Sequence, residues 1–242
     1  MMEAATNFLA KWGMVLVVVA LSITVVAVLM FRFKLPPEYQ TPLLVLLVAT
    51  LLAALAAAMG ALALLGSLIS DASQVQRSLV TIVLALVLII PVFSLASKVG
   101  TMPTINDIST DLDNPPVYKV VPSLRHPIDN SLDLVQERMD TQKAFYDDIK
   151  PLKLTASPDQ VFDKALSVMA DKGWDIVDSD KAAGHIEATV STAVLNFQDD
   201  VVIRLTADNG GTIVDMRSAS RTGRSDLGVN SQRIREFFAA LN

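Results

Sequence analysis

Long apolar runs fill the first hundred residues, and short runs of alternating apolar and polar residues fill the last ninety or so. Gly13 to Phe31 contains no ionisable residue; Lys11 and Trp12 precede it, and Arg32 and Lys34 follow. Thr41 to Ser70 carries no charge, and Leu79 to Ala96 is a third apolar run with Pro91 near its end. A hydrocarbon core needs ~20 apolar residues in a helix. Three transmembrane helices are therefore expected, at about 13–31, 41–69 and 79–97, within a membrane region of residues 1–99. The first is read as a span and not a cleaved signal, because Leu29-Met30-Phe31-Arg32 offers no small-residue cleavage site and further spans follow. Pro91 is expected to kink the third.

Ala49, Ala53, Ala57 and Ala61 line one face of the second run, with Ala56 and Gly60 beside them. Small residues four apart let helix backbones approach closely. Packing among the chain's own helices is the preferred reading, and a homo-oligomer contact through these alanines is the alternative. The mid-span polar groups are Ser22, Thr24, Thr50 and Thr81. Ion-coupled carriers place ionisable groups at such depths, so this half reads as an anchor or assembly module.

Residues 100–150 hold Pro103, Pro115, Pro116, Pro122 and Pro127, with Pro151 just beyond. They read as an extended lead-in that wraps the following domain, with a helix within Asn130 to Tyr146. Asp107, Asp111, Asp113 and Asn114 lack the glycine and closing glutamate of an EF-hand. Asx turns and caps explain them better. From 151 to 242 the pattern is that of an α+β core. Leu152 to Leu154 is a first strand. Ser157-Pro158-Asp159-Gln160 opens a helix with a capping box and proline at its first position. Val161, Phe162, Ala165, Leu166, Met169 and Ala170 form its buried face, and Gly173 ends it. Trp174 to Val177 is a second strand. In the third, Ile186, Ala188, Val190, Thr192 and Val194 face one way and Glu187, Thr189 and Ser191 the other.

Asn209-Gly210 is the dipeptide of a type I′ hairpin, whose two central residues need positive φ. That turn fixes a register: Arg204 faces Asp215, Leu205 faces Val214 and Ile203 faces Met216. One face then carries Val201, Ile203, Leu205, Val214 and Met216, and the other Asp200, Arg204, Asp215 and Arg217. A loop rich in serine and arginine follows and leads to an amphipathic helix with Ile234, Phe237, Phe238 and Leu241 on its apolar side and Asn230 as its N-cap. The order β-α-β-β-β-β-α implies an antiparallel sheet with two helices over its apolar face, similar in outline to helix-grip modules.

Charge separates the two halves. After residue 100 lie 22 of the 25 acidic and 15 of the 20 basic residues, a net of −7 there. That balance argues against nucleic acid as a partner, which needs a basic footprint. The absence of cysteine excludes disulfides and thiolate chemistry. His126 and His185 have no metal-motif spacing, so neither metal nor cofactor is expected, and His185 reads as a solvent-facing strand residue.

The run FQDDVVIRL, continued by GGTIVDMRSASRTGRSDLGVNSQRIR, resembles the signature of the domain of unknown function 1499, a bacterial and plastid family. Asn106 to Pro116 and Gly184-His185-Ile186-Glu187-Ala188-Thr189 are similar to two further motifs of that family, which usually has arginine where His185 stands. The resemblance covers about residues 103–242. It implies an extracytoplasmic domain, since relatives often carry secretion or thylakoid-targeting signals, and it supplies no catalytic residues.

Two functions follow as expectations. The first is an integral protein of a bacterial inner membrane that presents a small extracytoplasmic domain for binding or scaffolding at the cell envelope; a transport accessory subunit is a variant of it. Its candidate surface for an anion or partner is Asp200, Arg204, Asp215, Arg217, Arg221, Arg224, Asp226 and Arg233, facing an envelope protein or an anionic lipid headgroup. The more economical reading of Arg204 and Asp215 is a cross-strand ion pair worth roughly 0.2–1 kcal/mol. The second function is a membrane-anchored hydrolase using Ser218, Ser220 or Ser225. It is disfavoured because serine needs an activating base.

Overall fold

The computed structural model describes residues 1–35, 39–70 and 72–242, in two compact units, 1–99 and 100–242. The first unit holds α1 (Met2–Phe33), α2 (Gln40–Ser70) and α3 (Val75–Ala96), all long and apolar enough to cross a membrane. Their core is small: Val17 and Ala20 meet Ala53, Ala56 and Ala85. A side chain in place of Gly13 or Gly60 would crowd Met59 or Ile82, so these glycines set how closely the helices approach. Buried residues of α2 include Ala49, Ala53, Ala56, Gly60 and Ala63, whereas Ala57 is half-buried and Ala61 exposed. The buried stripe follows the 3.6-residue period and so drifts off the four-residue row of the sequence reading. Ala49 and Ala53 are spent inside this chain's own bundle. The hydroxyls of Ser22, Thr24, Thr50 and Thr81 all donate to the carbonyl four residues earlier. α3 continues through Pro91 to Ala96.

The second unit is α+β. It is built on a six-stranded antiparallel sheet of β1 (Asp107–Ser109), β2 (Leu152–Leu154), β3 (Asp175–Asp180), β4 (His185–Ser191), β5 (Gln198–Asp208) and β6 (Gly211–Ser220). The order is β1-β6-β5-β4-β3, with β2 also on β6. The Asn209-Gly210 turn has φ of 46° and 90°, and the register pairs Arg204 with Asp215, Leu205 with Val214 and Ile203 with Met216, as the turn chemistry requires. Helices α6 (Pro158–Asp171) and α7 (Val229–Leu241) cover the apolar face, where Trp174 stacks on Phe237 at 5.4 Å. Ser157 and Gln160 form the expected capping box.

The lead-in covers the other face. Beside β1 it contains short α4 (Val121–Leu124) and α5 (Gln136–Phe145), so the helix expected within 130–146 starts only at Gln136. Tyr118 and Val121 pack there on Val202 and Ala219. Asp111 accepts from the backbone of Asp113 and Asn114, an Asx turn. Three local expectations need correction. β4 stops at Ser191, and Thr192 turns the chain by accepting from the Phe197 amide. The N-cap of α7 is Gly228 at φ 84°; Asn230 lies inside the helix, and Asp226 accepts from the Gly228 and Asn230 amides. His185 is buried, not solvent-facing, because the lead-in closes over its strand.

Candidate functional site

Alternation along β4, β5 and β6 puts Glu187, Thr189, Asp200, Arg204, Asp215 and Arg217 on one face. An uncovered face of this kind would be a charged surface. Here the lead-in supplies partners, and the face becomes a buried network. Asp200 is fully buried and takes four donors: Thr189 Oγ1 at 2.9 Å, Arg125 Nε at 2.8 Å, and Arg221 through Nε at 2.9 Å and Nη2 at 2.8 Å. Arg125 goes on to the carbonyls of Asn130 and Ala219. Arg217 bonds Asp107 at 2.6 Å and the Leu132 carbonyl at 2.7 Å, beneath the Tyr118 ring. Burial works against the charged forms of Arg217 and Arg221, and their carboxylate partners outweigh it, so both guanidiniums are held above their ordinary range. Burial pushes the Tyr118 phenol up, with Asp107 adding to the effect. Arg204 is half-buried and spans Asp215 at 2.8 Å and Asp111 at 2.9 Å.

Glu187 anchors the lead-in. Its oxygens accept from the backbone N–H groups of Lys119, Val120 and Val121 and meet His185 Nε2 at 2.8 Å. Burial pushes this carboxyl up, but His185 and the three amides together outweigh burial and hold it below the usual glutamate range. Asp178, His185 and Glu187 bring three possible metal-ligand atoms within 4.8 Å of one another. Both Glu187 oxygens are already occupied by amide donors, so this cluster fastens the lead-in to the sheet.

Of the expected surface, Asp200, Asp215, Arg217, Arg221, Asp226 and Arg233 are buried, Arg204 is half-buried and only Arg224 is exposed. The expectation of one open charged surface is thereby corrected: Asp200, Asp215, Arg217 and Arg221 are paired on the face that the lead-in covers, while Arg233 pairs from α7 on the other side of the sheet and Asp226 is buried just before that helix. Arg233 bonds Asp199 at 2.5 Å and Ser218 at 2.8 Å. Asp226 has no cation at hydrogen-bond distance among the described residues, and burial pushes its carboxyl up against the pull of the Gly228 and Asn230 amides. The candidate nucleophiles also do structural work. Ser218 donates to Asn230, Ser220 accepts from Asn230, and Ser225 donates to the Pro103 carbonyl.

An open groove of about 360 Å³ lies beside this network, between α5, residues 104–106 and the loop after β6. Its lining includes Thr104, Asn130, Glu137, Arg138, Thr141 and Arg224. Sequence reading missed Arg138, Arg125 and Glu187. Glu187 stands in the Gly184 to Thr189 stretch on a polar strand face, but nothing in the local pattern shows what would reach it.

A family model described as a protein of unknown function, DUF1499, matches residues 107–241. No curated protein matches the chain. The match covers the sheet, the covering lead-in and both packed helices, more than half of the sequence, and the chain belongs to the DUF1499 family.

Proposed function

We propose that this chain is a membrane-anchored binding protein whose soluble domain stands on the extracytoplasmic side and engages its ligand at the groove beside the sheet, not on the sheet itself. One observation carries the reading. The domain has eight arginines, and six of them (Arg125, Arg204, Arg217, Arg221, Arg233 and Arg235) are paired with carboxylates of the domain. The two left without a carboxylate among the described residues, Arg138 and Arg224, line the same groove. Three apolar helices in the same chain supply the anchor. A binding role is favoured over a hydrolase because Ser218, Ser220 and Ser225 have neither histidine nor carboxylate as a hydrogen-bond partner among the described residues.

Sidedness tests this directly. Ser131 is exposed, and the chain is free of cysteine. Ser131→Cys should react with a membrane-impermeant maleimide on intact cells. Reaction only after lysis would put the domain in the cytoplasm and refute the envelope assignment.

A further inference from the structure

We propose that the groove binds a phosphate group through Arg138 and Arg224. The assignment rests on the binding role above and adds the ligand's chemistry. Arg224 is exposed and has no hydrogen bond or ion pair among the described residues. Arg138 makes one long bond, to Asn106 Oδ1 at 3.4 Å, which leaves most of its donors open. Elsewhere in the domain, arginine donors are met by carboxylates, so two open guanidiniums on one groove depart from the rule of this fold.

The groove is built before any ligand arrives. The Gly223 carbonyl accepts from Asn106 Nδ2 and Asn130 Nδ2, each at 2.8 Å, and the Asn130 amide donates to the Arg221 carbonyl at 2.7 Å. Gly223 has φ 87°, a backbone conformation that suits glycine. The loop is therefore pinned immediately before Arg224. Arg138 comes from the first turn of α5, so the two guanidiniums are held by independent elements.

Phosphate is favoured over carboxylate by counting oxygens. One guanidinium fork satisfies the two oxygens of a carboxylate, whereas two forks need the three or more oxygens of a phosphate. Thr104 also lines the groove, and so does Thr141, whose hydroxyl proton is already given to the Glu137 carbonyl at 2.8 Å. Glu137 also lines the groove and opposes an anion. Thr104 follows the last residue of α3 by eight positions in the sequence, so phospholipid headgroups and free phosphate esters are the two sources to separate.

The test is isothermal titration of the full chain in an uncharged detergent with inorganic phosphate, dihexanoyl phosphatidylglycerol and succinate. At least one phosphate probe should bind at a single site. Arg224→Ala and Arg138→Ala should each weaken it roughly tenfold or more, and Glu137→Gln should tighten it about two- to fivefold. Stronger binding of the lipid assigns a headgroup, and stronger binding of inorganic phosphate assigns a soluble ester; both support the proposal. Phosphate binding that is unchanged in the double Arg138→Ala/Arg224→Ala variant overturns it. Succinate binding alone, lost in the same variants, overturns the phosphate assignment and leaves the binding role standing. Silence of all three probes at tens of millimolar overturns the site, and the maleimide experiment then judges the envelope assignment separately.

Discussion

Asp200→Asn is the sharpest test of the covered face. Asp200 is fully buried on β5 and answers two guanidiniums, Arg125 from the lead-in and Arg221 from the end of β6. Asparagine keeps the shape but removes the charge and turns an amide donor toward one of those cations. Breaking a buried pair by removing one partner costs about 3–5 kcal/mol, because the remaining charge stays buried without compensation. Two cations are stranded here, so the upper end is expected. With a urea slope of about 2 kcal/mol/M for a domain of this size, the midpoint should fall by roughly 2 M. Trp174 is buried against Phe237 and reports the transition, and Trp12→Phe removes the one other tryptophan. Replacing the whole cluster, with Asp200→Leu, Arg125→Met and Arg221→Met together, should cost far less than the single change. A midpoint shift below about 0.5 M for Asp200→Asn would refute the reasoning, since the face would then be wet and its charges screened.

Further outcomes follow from the same structure. Glu187 has a depressed folded pKa, so its contribution is present above its ordinary value, about 4.3, and is lost as pH falls through the folded value; Glu187→Gln should lower stability at neutral pH and flatten the acid limb of the urea midpoint against pH. Asp226 behaves oppositely, its carboxyl being raised by burial: stability falls as pH climbs from its ordinary value of about 3.9 through the raised one. Asp226→Asn should therefore raise the neutral-pH midpoint and change nothing below the ordinary value. Ala53→Leu should overpack the membrane helices, cost about 1–3 kcal/mol of their stability and lower the melting temperature in detergent. Gly184 combines φ 60° with a Leu205 carbonyl where a Cβ would sit, so Gly184→Ala should destabilise the domain, read again from Trp174.

Local signals in the sequence carried much of the fold. Asn209-Gly210 fixed the β5–β6 register, Ser157 to Gln160 fixed the start of α6, and continuous apolar runs marked the three membrane helices. Each of these depends on residues close together in the chain. The polar face was legible as a face, because alternation alone sets it, but its burial was not. Asp107 meets Arg217, Arg125 meets Asp200, and Glu187 meets the Lys119 amide, each across at least 68 residues. An irregular segment has no periodicity to announce such contacts; its prolines announce only that it is extended. The start of α7 was misplaced for a related reason. Asn230 is a good N-cap by type, but Gly228 supplies the positive φ, and Asp226 supplies the carboxylate that accepts from the first amides. Arg138 carried no signal at all, since an arginine on an ordinary polar helical turn gains meaning only once Arg224 is found lining the same groove.

Hydrogen exchange of the full chain tests the closure of the lead-in over the sheet most directly. The amides of Lys119, Val120 and Val121 donate to the buried Glu187 carboxylate. They should exchange on the slow timescale of β4, β5 and β6 and be released together with those strands under mild denaturant. Fast exchange across 117–121 while the strands stay protected would contradict the account, and would return the charged face of the sheet to solvent as a binding surface.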